Sequence, residues 1–277
     1  MPISRRGKSR HRGRSGRFGA GRVVLFSGVL GGLAAAFALV LLVTSPRAGS
    51  AWDGRGGWTP NWLGGPRQIT HPPNVSYEIE AFDPARVAFT PGGLRLSIRR
   101  DPVAVDGVTY PYRSGVVTGY RKQAYVFGYF SARIFVPCAG GRIVNWPAFW
   151  LVGNPYKWPA TGEIDVFEGL GGRAWWHFHF RRSSGTPGSD GGESAGDYCG
   201  WHTFAVDWRP VSVRWYYDGV LVGVVTANIT RSPMFPVFSY SVTDPGSAMC
   251  ARYRDICGGE VDVGAVMRVS GFTVRPG

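Results

Sequence analysis

The chain has 277 residues, 44% hydrophobic and 14% aromatic, with a formal net charge of +13. Its first 50 residues hold nine of the 31 Lys+Arg and none of the 18 Asp+Glu, so the remainder carries 22 basic against 18 acidic groups, a net of only +4. That balance excludes a charge-driven nucleic-acid surface on the body, and no nucleic acid is expected among its partners.

Residues 1–22, MPISRRGKSRHRGRSGRFGAGR, read as a basic cytoplasmic segment or n-region. Residues 23–44, VVLFSGVLGGLAAAFALVLLVT, carry no charge, and as a helix they rise about 33 Å, enough to cross a bilayer core. Basic residues, then an apolar run, then the small residues of SPRAGSA is the order of a signal peptide cleaved after Ser50 or Ala51, or of a retained transmembrane anchor. Either way the positive end stays in the cytoplasm and the body lies outside, secreted or anchored, touching the membrane only through this segment. Arg outnumbers Lys 28 to 3, a usage typical of GC-rich bacteria. Residues 45–70 are rich in Gly, Pro and Trp without periodicity and are expected to be a linker or a wrapped arm.

Residues 71–277 form the body, a length that one β-sandwich can use as a single core. Runs such as GLRLSIRR, GYFSARIFVP, PAFWLVG, GEIDVFE, RAWWHFHF, HTFAVDWRP and MRVSGFTVRP are alternating or β-branched and aromatic, with Gly and Pro between them. The Asp-Gly of YYDGVL is a hairpin signal. Long helical periodicity is absent, which predicts an all-β, antiparallel β-sandwich. SSGTPGSDGGESAGD, residues 183–197, is expected to be the longest polar loop, as a rim of a site or an exposed connection. Four cysteines lie in the body, where disulfides persist after export. Of three possible pairings, the short loop CARYRDIC makes Cys250 with Cys257 the easiest closure and leaves Cys138 with Cys199. They show no metal-ligand spacing.

Residues 161–170, TGEIDVFEGL, place three acids in a strand that is otherwise apolar. Glu163 and Asp165 share a face by the two-residue period, whereas Glu168 would point oppositely. A β-bulge near Val166-Phe167 restores Glu168 to the face of Glu163. Two carboxyl groups facing one another across a sugar are what a retaining glycosidase requires, one as nucleophile and one as acid/base, the latter kept protonated by its negative neighbours.

GEIDVFE resembles the ExDxxE signature of glycoside hydrolase family 16 in its bulged form, as in laminarinase-like endo-β-1,3-glucanases. YRSGVVTG, FGYFSARIFVPCAGG and NWPAFWLVG before it and WHTFAVDWRPVSVRWYYDGVLVG after it follow the family's order and spacing, from about Tyr77 to Arg275. The resemblance implies a jelly roll of the concanavalin A-like lectin/glucanase kind with a concave cleft, no cofactor, and endo-acting, retaining hydrolysis of a β-glucan, β-1,3 or mixed β-1,3/1,4, or a related polysaccharide. It implies Glu163 as nucleophile, Glu168 as acid/base and Asp165 as the assisting carboxylate. Trp146 and Trp150, four apart on one face, match tryptophans that stack on sugars, and His177 and His179 occupy positions that contact sugar hydroxyls. Two His on a strand without a third ligand do not make a metal site, so no metal is expected, and His202 is expected to be structural. Departures from the family pattern are Ser131 for a glutamate, Val116 for an arginine that can touch substrate, and Ser270 for an aspartate that helps hold calcium. A non-catalytic glycan-binding module and a cell-envelope transglycosylase on the same fold are the alternatives; retention of all three acids weighs against the first. A monomer is expected, since cutting a polymer in an open cleft needs no partner subunit.

Overall fold

The computed structural model describes residues 57–277 apart from 66, 74–75, 247–249, 252–256 and 258–260. The basic segment, the apolar segment 23–44 and the first part of the expected linker lie outside the described residues. Among those described, no helix is long and apolar enough to cross a membrane.

In chain order the strands are β1 (Glu80–Phe82), β2 (Val87–Thr90), β3 (Gly93–Ser97), β4 (Arg99–Val105), β5 (Val108–Ser114), β6 (Val116–Thr118), β7 (Gly128–Val136), β8 (Cys138–Ala139) and β9 (Arg142–Ile143). They continue as β10 (Trp146–Gly153), β11 (Glu163–Leu170), β12 (Arg173–Arg181), β13 (Pro187–Ser194), β14 (Gly200–Arg209), β15 (Ser212–Tyr217), β16 (Val220–Val225), β17 (Met234–Ser241) and β18 (Val266–Pro276). A six-stranded sheet in the order β13-β12-β11-β10-β17-β6 faces a seven-stranded sheet in the order β16-β15-β14-β7-β18-β3-β2. Neighbours in both are antiparallel, the β-sandwich expected. A third sheet, β1-β5-β4, contains a parallel pair between β1 and β5.

The two-residue period of the sequence is what closes the sandwich. Strand β7 alternates buried and less buried positions, with Phe130, Ala132, Ile134 and Val136 turned into the core. On β12, Phe178 and Phe180 are buried, while Trp175, His177 and His179 stand on the opposite face. Phe167 of β11 stacks on Phe204 of β14 with ring centroids 4.0 Å apart, which joins the two sheets beneath the acidic strand. The Asp218-Gly219 turn joins β15 to β16 with φ of 48° and 82°, the left-handed pair that such a hairpin demands.

Of the two readings of residues 45–70, a linker or a wrapped arm, the described residues 57–65 and 67–70 take the second and pack onto the body. Thr59 bridges Thr118 and Thr70 bridges Phe82; Trp58 is buried against Phe238 and Phe272, and Trp62 is buried as well. Burying two indoles outweighs the entropy that a free linker would keep. The expected loop 183–197 contains β13, which pairs with β12 along its length as the outer strand of the six-stranded sheet. Its glycines are the reason. A Cβ at Gly188 would meet the Phe180 ring, at Gly191 the His177 ring and at Gly192 the Trp176 ring, so a composition that reads as loop is what lets this strand lie against bulky side chains of β12. Cys138 pairs with Cys199 and Cys250 with Cys257, as the shortest-loop argument expects.

Candidate active site

The bulge expected from the spacing of the acids is present. Against β12, Asp165 is opposite His177 and Glu168 opposite Trp175, so three steps on β11 match two on β12. Against β10, Asp165 faces Trp150, Phe167 faces Phe149 and Glu168 faces Ala148, which makes Val166 the extra residue. Glu163, Asp165 and Glu168 thereby line one cleft on the concave sheet, together with Trp146, Ala148, Trp150, His179, Ser239 and Ser241. Two side chains of β15 in the other sheet hold the bulged strand and its neighbour β12. Trp215 Nε1 donates to the Asp165 carbonyl at 2.8 Å, and Tyr217 Oη donates to the Trp175 carbonyl at 2.7 Å.

The carboxyl groups are wired to the two histidines. His177 Nδ1 lies 2.7 Å from Glu168 Oε2, and Trp146 Nε1 donates to Glu168 Oε1 at 3.2 Å. His179 Nε2 is 3.2 Å from Asp165 Oδ2, off the line of a hydrogen bond, and 3.9 Å from Glu163 Oε1. Glu163 is pushed well above the ordinary carboxylate range, by burial first and then by the charges of Asp165 and Glu168, against the opposing pull of His179. Asp165 is raised too, by burial and by Glu168. At His177 burial disfavours the charged ring, but the Glu168 hydrogen bond and the charges of Glu168 and Asp165 outweigh it, and the net displacement is upward. The spacing of the acids predicts a raised pKa on the acid/base; in the structure it is Glu163 and Asp165 that are raised.

Asp165, His177 and His179 present ligand atoms within 4.8 Å of one another, so the carboxylate supplies the third group that the pair of histidines lacks in sequence. Among these groups His177 is hydrogen-bonded to Glu168, while Asp165 Oδ2, 3.2 Å from His179 Nε2, has no hydrogen-bond partner. His202 stands apart, with Nδ1 on Asp218 Oδ2 at 2.7 Å and Nε2 near the Cys199 carbonyl at 3.1 Å, a structural placement.

The two tryptophans differ. Trp146 is half-buried, stacks on Tyr77 at 6.0 Å and holds Glu168. Trp150 is 7% exposed, its Nε1 donates to Ser239 Oγ at 3.1 Å, and one face is covered by Trp62 at 5.2 Å with the rings 27° apart. Lining residues not singled out from the sequence include Tyr77, Glu78, Tyr156 and Trp158. Trp158 is 44% exposed and sits 5.9 Å from the His179 ring. The signal for Tyr156 and Trp158 was an aromatic, proline-rich turn, NPYKWPATG, directly before the acidic strand.

The family model described as Glycosyl hydrolases family 16 matches residues 80–246. Among curated proteins, the chain is 28% identical over 211 residues to the Endo-1,3-1,4-beta-glycanase EglC of Rhizobium meliloti, covering 73% of this chain and 44% of that protein. It is 29% identical over 137 residues to the Endo-1,3-1,4-beta-glycanase ExsH of the same organism, covering 48% of this chain and 28% of that one. The chain therefore spans less than half the length of these two relatives. A Beta-glucanase of Rhodothermus marinus is 28% identical over 159 residues, 52% of this chain and 53% of that protein. In fold, the catalytic domain of an endo-1,3-beta-glucanase (laminarinase) from Thermotoga petrophila superposes with a TM-score of 0.63 at 21% identity, covering 82% of this chain and 94% of that one.

Proposed function

The chain belongs to glycosyl hydrolases family 16, and on that premise we propose that it is an extracytoplasmic, retaining, endo-acting glycoside hydrolase of a β-linked glucan. The observation that carries the proposal is the bulge at Val166, which brings Glu163 and Glu168 into one cleft instead of opposite faces of the sheet.

In this proposal a Glu163 oxygen attacks the anomeric carbon while the bond to the departing glycosidic oxygen breaks, and that oxygen takes a proton from Glu168. The product is a glycosyl ester on Glu163 and a shortened chain with a new hydroxyl. Glu168 then removes a proton from water, water attacks the same carbon, and Glu163 leaves as carboxylate; two inversions give net retention. The proton for the first step resides on the Glu168–His177 pair, whose heavy atoms are 2.7 Å apart. Asp165, raised by burial and by Glu168, lies beside Glu163 on the same face and steadies it as its charge changes. The half-buried face of Trp146 and the exposed Trp158 offer apolar faces to pyranose rings on either side of the row. His179 offers a donor to a sugar hydroxyl.

The curated relatives are described as endo-1,3-1,4-beta-glycanases and a beta-glucanase, which favours a β-1,3 or mixed β-1,3/1,4 glucan. The apolar run 23–44 and the two disulfides support a place outside the cytoplasm. The test is release of reducing ends from laminarin and lichenan by the purified protein, with Glu163→Gln as baseline and the anomeric configuration of the first product followed by NMR. A β-anomer formed first supports retention. Binding without cleavage supports a glycan-binding module, and products longer than the donor support a transglycosylase. Mass spectrometry of the mature N-terminus separates anchor from cleaved signal.

A further inference from the structure

The middle carboxyl of the row has an unused ligand position. Asp165 is 5% exposed and lines the cleft, yet its Oδ2 has no hydrogen-bond partner. A buried acceptor left unpaired in this way gains from any ligand that satisfies it. His179 Nε2 stands 3.2 Å from that oxygen, off the line of a hydrogen bond. Two tetrahedral ligands each about 2.0–2.2 Å from a zinc ion are themselves about 3.3 Å apart. The Asp165–His179 pair therefore already stands at the spacing such an ion requires. His177 adds a third ligand atom, the three lying within 4.8 Å of one another, and its partly exposed ring can turn to close the triangle.

The strand pairing sets this arrangement, with His177 opposite Asp165 and His179 opposite Glu163 across β11 and β12. A metal-ligating histidine usually gives its other ring nitrogen to a carboxylate, which orients the ring. The 2.7 Å contact of His177 Nδ1 with Glu168 Oε2 is a support of that kind. Glu163 Oε1 lies 3.9 Å from His179 Nε2, within reach of a fourth position on the same ion. None of the described residues lining the cleft is a lysine or arginine, so no fixed cation competes. Two imidazoles and a carboxylate suit zinc and its borderline neighbours, whereas Mg²⁺ and Ca²⁺ prefer oxygen ligands alone.

We propose that Asp165, His177 and His179 form a reversible inhibitory site for Zn²⁺ or a divalent transition ion of similar ligand preference. An ion held there engages the Glu163 carboxylate and ties up the His177 ring beside Glu168, so the row can no longer attack or transfer a proton. Ion binding follows from the geometry alone; inhibition rests on the hydrolase reading above, in which the metal-free protein is the active form.

The test starts from protein stripped with a chelator and returned to metal-free buffer. Calorimetric titration with ZnCl₂ is expected to show one ion per chain with a micromolar dissociation constant, while MgCl₂ and CaCl₂ at the same concentrations give no binding heat. Co²⁺ in place of zinc should give the intense visible bands of a tetrahedral ion. His177→Gln and His179→Gln should each weaken zinc at least about tenfold, and His202→Gln, outside the cleft, should leave it unchanged. Hydrolysis of laminarin should fall with the same zinc midpoint and return when chelator is added. No zinc heat, a weak octahedral cobalt spectrum, or binding that both His177→Gln and His179→Gln leave intact overturns the site. Turnover untouched at zinc concentrations that saturate the protein overturns the inhibition. Zinc binding that depends on His177 and His179, in a metal-free protein that cleaves no glucan, would sink the hydrolase reading and leave the ion site standing. Should the histidine variants fail to fold, the wild-type calorimetry and cobalt spectrum still decide.

Discussion

The two halves of the concave sheet obey one alternation and end differently. On the β11–β12 side, Glu163, Asp165, Glu168 and His179 line an opening, and His177, on the same face of β12, holds Glu168. On the β10–β17–β6 side, Trp146, Trp150, Ser239 and Ser241 still line the cleft, but Val152, Phe235, Val237 and Val116 on the same face are buried with Trp62 and Phe82 in a second apolar cluster. The arm and β1 thus convert the far part of this face into core. Val116 fits this, because it is 1% exposed within that apolar cluster and offers no polar group to a substrate. The lesson is that cleft length in this molecule is set by what covers the sheet as much as by the sheet's own residues.

The largest break in that contrast is Glu163→Gln. It removes the nucleophile while keeping shape, and kcat is expected to fall by at least about four orders of magnitude. The same substitution deletes a buried carboxyl whose pKa is raised by burial and like charge, so thermal stability near neutral pH should be unchanged or higher. A lowered melting temperature together with retained turnover would mean that the polar half of the sheet is structural and not catalytic.

On the covered half the matching change is Trp62→Ala. Trp62 stacks on Trp150 and meets Tyr156 edge-on at 5.2 Å, and its removal leaves a cavity in a small cluster. A loss of about 3 kcal/mol is expected, read by denaturant unfolding, the low end for a buried tryptophan because the site is near the surface. Exposure of the Trp150 face should also tighten binding of longer oligosaccharides. A stability loss under about 1 kcal/mol would show that the arm rests on the sheet without holding it.

Much of this was legible in sequence because it rests on period two and on odd spacing. The bulge followed from Glu168 lying five residues after Glu163, the hairpin from Asp218-Gly219, and the disulfides from loop length. What was not legible came from covering. Nothing local marks Trp62 as the lid on Trp150, because that contact joins residues far apart in the chain and is set by how the arm folds back. Strand β13 was hidden because its glycines answer to Phe180, His177 and Trp176 across the ladder and not to their own neighbours in sequence. Glu78 and Glu80 were passed over because two acids two apart near the start of a domain read as a solvated edge until the structure buries them.

Glu80→Gln probes the seam between the halves at lower cost. Glu80 is pushed well above the usual carboxylate value by burial first and by Glu78 second. A carboxyl raised in the folded state favours folding below its unfolded pKa, and that advantage is lost as pH climbs through the folded value. Glutamine cannot ionise and can still accept the Val242 N–H. The variant should therefore be more stable than wild type at pH 8 by more than about 1.4 kcal/mol, one pKa unit's worth, with the difference vanishing near pH 4. A variant less stable at both pH values would mean that Glu80 is paired more fully than its unpartnered Oε1 indicates.

The finest probe stays within the polar half. The 2.7 Å contact with Glu168 and the charges of Glu168 and Asp165 hold His177 above its ordinary value, so the ring beside the acid/base stays protonated to higher pH. Activity should fall on the alkaline side as pH rises through that raised value, when the ring loses its proton. On the acid side it should fall already above the usual carboxylate range, because Glu163 must be ionised to attack and its pKa is raised. His177→Gln keeps a neutral partner for Glu168 but no titrating ring. Its alkaline limb should move to lower pH by about one unit, with kcat at the optimum down roughly tenfold, while the melting temperature stays close to wild type. An alkaline limb that does not move would place the working proton on Glu168 alone, leaving His177 as a positioning residue that acts through its hydrogen bond.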